Sequence, residues 1–106
     1  MLMLAVLLAA SGPQYETGET LYRKCTGDVG RRSACQGYIT GIADSIVLYS
    51  TMGLETLACV PLGTTKGTIN DAVVDYLRKN PSKRNLAASG LVVIALQDAY
   101  PCEPMD

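Results

Sequence analysis

The sequence predicts an all-α fold, a small compact bundle of about four helices stapled by disulfides. Three observations carry that expectation. Apolar residues recur at a helical period in three long segments. No pair of alternating segments flanks a hairpin turn signal. Four cysteines, Cys25, Cys35, Cys59 and Cys102, are spread along a chain of 106 residues, a length at the lower end of what one core can stabilise.

The chain opens on "MLMLAVLLAAS", ten apolar residues and a small one, with no charge before Glu16. The run is too short to span a bilayer. It has the character of a signal-peptide apolar region, with Ala9 and Ser11 placed for cleavage ahead of Gly12. Residues 1–11 are therefore expected to be a signal peptide, with a mature helical domain over 12–106. No Lys or Arg precedes the run, and an initiating Met further upstream would account for that.

Residues 12–18 form a polar lead-in, followed by a short helix over about Glu19 to Lys24 that places Leu21 and Tyr22 near the first cysteine. A second helix is expected from about Ser33 to Met52, with Tyr38, Ile39, Ile42, Ile46 and Tyr49 on one apolar face. Gly37, Gly41 and Ser45 recur every fourth residue along it. Each Gly costs a helix roughly 1 kcal/mol against Ala, so the ridge is expected to admit another backbone closely. Gly53 stops this helix, and Pro61 and Gly63 keep the following segment irregular.

Thr65 is an N-cap for a third helix that ends near Asn80, ahead of Pro81. Ile69, Val73, Tyr76 and Leu77 supply its apolar face, and Arg78 and Lys79 suit its C-terminal dipole. Asn85 is expected to cap a fourth helix over about Leu86 to Ala99. Its centre, "LVVIAL", is apolar on every side, which marks the central buried helix.

Export bears on the cysteines. An even number in a small exported chain points to disulfides, and the absence of any C-x-x-C removes the thioredoxin-like motif and paired zinc knuckles. Four cysteines allow three pairings, and spacing alone does not choose among them. The local argument favours Cys25–Cys35, because Gly27 and Gly30 let the chain reverse, and leaves Cys59–Cys102. In the loop-entropy model two such bridges contribute on the order of 3 and 4 kcal/mol.

Composition narrows function mainly by exclusion. Nine basic residues against ten acidic leave a net charge of −1, and no basic run is interleaved with stacking aromatics, so nucleic acid is not an expected partner. There is no His, which removes the common Ser-His and Cys-His nucleophile systems and most catalytic zinc sites. No enzymatic activity, metal or cofactor is expected, although ten acids leave a hydrolase with a carboxylate pair open. Asp44 reads as a solvated helix residue. Tyr38, Tyr49 and Tyr76 read as core, and Tyr15 and Tyr22 as freer to touch a partner. The best interface candidate is the loop over 53–66, long and anchored at Cys59, with Leu54, Glu55, Leu62, Thr64 and Lys66 as its contact residues.

Several blocks, in order, carry a resemblance: "LYRKCTGDVGRRSACQGYITGIADS", "CVPLGTTKG" and "VVDYLRKNPSKRNLAASGLVVIALQDAYPC". Within them stand Cys35, Gly37, Tyr38, Ile39, Gly41 and Asp44 as C-x-G-Y-I-x-G-x-x-D, Cys59, Pro61 and Gly63 as C-x-P-x-G, and Tyr100, Pro101 and Cys102 at the close. Over about residues 18 to 102 the chain resembles the Tai/Rap family of type VI secretion amidase immunity proteins. Thr68 departs from the family's frequent Gln after the Thr65 cap, and Gly90 stands where a stronger helix former is common. The resemblance implies a periplasmic, helical, disulfide-bonded protein that occludes a peptidoglycan amidase effector and protects the producing cells, with homodimers among the members. A periplasmic helical binding or structural module with no toxin partner is the alternative.

Overall fold

A computed structural model describes residues 15–103, and the expected signal peptide over 1–11 lies outside them. Helix α1 spans Gly18–Cys25, α2 Val29–Thr51, α3 Lys66–Lys79 and α4 Ala88–Ala99, with a single 3-10 turn at Pro81–Lys83 between α3 and α4. The expected all-helical, disulfide-stapled fold is what the chain adopts.

Local chemistry accounts for most of the boundaries. Thr17 caps α1 by accepting from the Thr20 backbone N–H, and the Thr20 hydroxyl accepts from the Thr17 N–H in return. This is a capping box with Thr in the place usual for Glu or Gln. Arg23 and Lys24 occupy the last turn of α1, where cations suit the dipole. The Asp28 carboxylate accepts from the Arg31 N–H at 2.9 Å and starts α2 there. That cap moves the start of α2 four residues ahead of the expected Ser33, so Gly30 lies within its first turn. Gly53 follows the end of α2 at φ +82°, in the left-handed region that glycine tolerates. Thr65 caps α3 as expected, through the Thr68 N–H at 3.1 Å.

The start of α4 follows a different rule. Asn85 does not cap it: the cap position is Ala87, with no side-chain hydrogen bond. Instead the chain entering α1 lies antiparallel to the chain entering α4, with Thr17 bridged to Ala87. Ala88 N–H donates to the Glu16 carbonyl, Gly18 N–H to that of Leu86, and Glu19 N–H to that of Arg84. Two helix starts thus satisfy each other's unpaired donors. The junction requires Gly18, because a Cβ there would sit 2.5 Å from Leu91 Cδ1 and 2.9 Å from Arg84 Cα.

The core gathers around α4, whose Leu91, Val92, Val93, Ala95 and Leu96 are buried as the "LVVIAL" reading requires. Leu21 from α1, Cys35, Ile39 and Ile46 from α2, and Ile69, Val73 and Leu77 from α3 pack around it. Tyr38 and Tyr76 are half-buried against this core. Bridges join Cys25 to Cys35 and Cys59 to Cys102, the pairing favoured above. Cys25 and Cys35 are buried, whereas Cys59 and Cys102 are exposed.

Three further expectations fail. Among the described residues nothing packs against the Gly37–Gly41–Ser45 ridge: a Cβ at Gly37 or Gly41 would meet none of their atoms within 4 Å, and Ser45 is exposed. Tyr49 is exposed rather than core, because Ile46 takes the inward direction on that turn. Tyr22 is not free for a partner, since it is half-buried and the Arg84 guanidinium stacks 4.2 Å from its ring centroid. In each case the helix forms as read, and the neighbour that would have buried or bared the face lies elsewhere.

Candidate functional site

The C-terminal end of α2 carries four consecutive apolar residues, Ile46 to Tyr49. Four successive helical positions sweep about 300°, so they cannot share one buried face. Ile46 points into the core, while Val47 is 63% and Leu48 58% exposed. Met52, Leu54 and Leu62 continue this exposed apolar series into the loop that follows. Scattered apolar side chains on a surface are ordinary, and this concentrated run makes the end of α2 the candidate contact surface among the described residues.

The loop is irregular yet held at several points. Ala58 is buried, and Leu57 and Val60 pack against the core. Cys59 N–H donates to the Tyr100 carbonyl at 2.9 Å, beside the Cys59–Cys102 bridge. The hydroxyls of Ser50 and Thr56 lie 2.9 Å apart and tie the loop back to α2. Thr64 N–H donates to the Pro61 carbonyl, closing a turn in which Gly63 has φ +87°. Pro61 opens this turn, Leu62 takes its second position, and a positive-φ glycine at the third is the chemistry of a type II turn. Leu62 sits at the tip of that turn and is fully exposed. A groove of about 510 Å³ runs between the loop and α2, lined by Ile46, Val47, Ala58, Cys59, Leu62 and Ile69 among others.

The residues expected to make contact behave differently from one another. Leu54, Glu55 and Leu62 are exposed, and of these Leu62 lines the groove. Thr64 is half-buried and its hydroxyl donates to the Pro61 carbonyl at 2.7 Å, so it serves the turn. Lys66 is the exposed first residue of α3. Val47, Leu48, Tyr49 and Met52 are surface residues that the sequence expectation does not include. The signal that could have found them is the unbroken apolar run on a helix, which periodicity alone assigns to a core.

A second cleft, of about 650 Å³, separates the C-terminal parts of α3 and α4 and carries Asp75, Lys79, Lys83 and Asp98. Asp75 is engaged by Arg78 and Lys79, each at 3.0 Å. Glu16 is the acid with the most distinctive surroundings. Burial opposes its ionisation, but hydrogen bonds from Lys24, at 2.6 Å, and from Thr20 outweigh it and hold its carboxyl below the usual range. Both partners belong to the α1 junction, so this carboxylate fastens the fold. Asp44 is exposed, as read. Among the described residues no group of three or more His, Cys, Asp or Glu could hold a metal ion, and no helix is long and apolar enough to cross a membrane.

Compared with known families, residues 17–102 match the model of the Rap1a immunity proteins. The matched span begins at the cap of α1 and ends at the last cysteine. No curated protein and no solved structure matches the chain.

Proposed function

The chain belongs to the Rap1a immunity protein family, and from that premise we propose that it is a periplasmic immunity protein of a type VI secretion system. In this reading it binds a peptidoglycan amidase effector and blocks access to its active site, protecting the producing cells. The effector would meet the apolar end of α2 and the adjoining loop, with Leu62 as the leading side chain. The observation that carries this assignment of surface is the exposed series Val47, Leu48 and Met52 at the end of α2, continued by Leu54 and Leu62 on a loop held by backbone and disulfide anchors. An apolar anchor on a pre-ordered support loses little entropy on docking, which favours affinity. Two disulfides suit the oxidising periplasm. Occlusion needs shape and surface, and calls for no proton donor.

Periplasmic co-expression with amidases encoded beside this gene tests the proposal. The wild type should prevent lysis by one of them. Leu62→Asp should abolish protection and Leu54→Asp should weaken it, both with an unchanged helical circular dichroism spectrum, because a buried unpaired carboxylate is costly at an interface. Full protection by both variants would move the interface elsewhere. A wild type that protects against no neighbouring hydrolase would favour a general helical binding module.

A further inference from the structure

The two bridges differ in a way that pairing and spacing do not reveal. Cys25–Cys35 lies inside the α1–α2 packing, with Cys25 8% and Cys35 1% exposed. Cys59 and Cys102 are both exposed, as are their neighbours Pro101, Glu103 and Pro61. The second bridge also lies outside every helix, joining the irregular 53–65 segment to the tail after α4. Cys59 lines the groove beside Leu62. Besides the bridge, the Cys59 N–H to Tyr100 carbonyl bond links this loop to the tail.

We propose that Cys59–Cys102 is a redox-accessible clamp on the groove loop, which a dithiol can open while Cys25–Cys35 stays closed. This inference rests on the reading of that loop as the docking element only for its biological consequence. Thiol–disulfide exchange requires a thiolate to reach a sulfur, and the exposed pair presents two. One thiolate of the dithiol attacks the sulfur of Cys59 or Cys102, forming a mixed disulfide and releasing the other cysteine as a thiolate that takes up a proton. The second thiolate of the reductant then displaces the remaining cysteine, and the reductant leaves as a disulfide. Two electrons and two protons pass to Cys59 and Cys102. With the clamp open, the segment bearing Leu62 loses its covalent support, and its ordering must be supplied on docking. The closed form is then the docking-competent one, and a dithiol oxidoreductase acting on this exposed bridge would set the fraction in that form.

The test uses the oxidised mature protein, dithiothreitol as the dithiol, and N-ethylmaleimide to trap thiols for peptide mapping. Cys59 and Cys102 should be trapped at reductant concentrations at least about tenfold below those that expose Cys25 and Cys35, following the difference in access. In the selectively opened protein, amide hydrogen exchange at Cys59 and its loop neighbours should accelerate about tenfold or more, while Leu91 to Leu96 keep their protection. The double variant Cys59→Ser with Cys102→Ser should reproduce that pattern without reductant. Opening of both bridges at the same concentration, or loop exchange unchanged in the opened protein and in the double variant, would overturn the clamp. Failure of the oxidised wild type to protect against an amidase is a separate result, which would sink the proposed function and leave the mapping intact.

Discussion

The two ends of α2 meet solvent in opposite ways. Near its start, Cys35 and Ile39 are buried while Arg31, Arg32 and Ser33 face water, the division expected of an amphipathic helix. Near its end only Ile46 is buried, and Val47, Leu48 and Met52 are left exposed. Helix lengths account for the change. With 8 residues α1 spans about 12 Å, whereas the 23 residues of α2 span about 35 Å, so α1 can flank only part of it. The Cys25–Cys35 bridge places α1 along the first half. Beyond α1 the helix still carries apolar residues, but one of the neighbours that would cover them has ended. The same helix therefore builds the core at one end and presents a surface at the other.

The widest test of this contrast compares Ile39→Ala with Val47→Ser. Ile39 is fully buried, so its truncation should cost about 2–5 kcal/mol in chemical denaturation through lost burial and a residual cavity. Val47→Ser should change stability by roughly 0.5 kcal/mol or less while weakening protection against the effector. A large stability loss at Val47 would mean that the apolar end is core after all.

Two glycines sharpen the comparison. Gly18→Ala should cost about 1–3 kcal/mol, because the added methyl meets Leu91 and the Arg84 backbone at distances neither can yield easily. Gly41→Ala should instead raise stability by up to about 1 kcal/mol, since its Cβ meets nothing among the described residues and Ala is the better helix former. A loss at Gly41 would restore the close-packing role that the ridge lacks here.

The smallest effect concerns acid. Glu16 is held below its ordinary value of 4.5 in the folded chain, so it stabilises the fold above that value. The contribution is lost as pH falls through the lower, folded value. Glu16→Gln removes it. The difference in Tm between wild type and variant should hold from pH 7 down to about 5 and shrink below that. A difference that stays constant down to pH 3 would mean that Glu16 supports the fold equally with and without its charge, against a lowered folded value.

Much of the fold was legible in the residues. The 3.6-residue spacing of Ile69, Val73 and Leu77, the Thr65 cap, the stop at Pro81 and the apolar density of "LVVIAL" each act within a few residues, and the structure carries them unchanged. The early start of α2 is also written locally, in Asp28 three residues ahead of Arg31, although the glycines on either side of Asp28 suit a turn equally well. The family blocks are local patterns of the same kind.

What the tertiary structure alone decided is what lies opposite each face. Only the meeting of two distant segments supplies the donors' partners at the start of α4, where Ala87 has no side chain to cap with. Only packing turned the small-residue ridge to solvent, placed Arg84 over Tyr22, and buried one disulfide while baring the other. Helix formation is settled by short-range hydrogen bonding and periodicity, so the sequence determined it alone. Burial depends on where other segments lie, and among the described residues none covers the apolar close of α2.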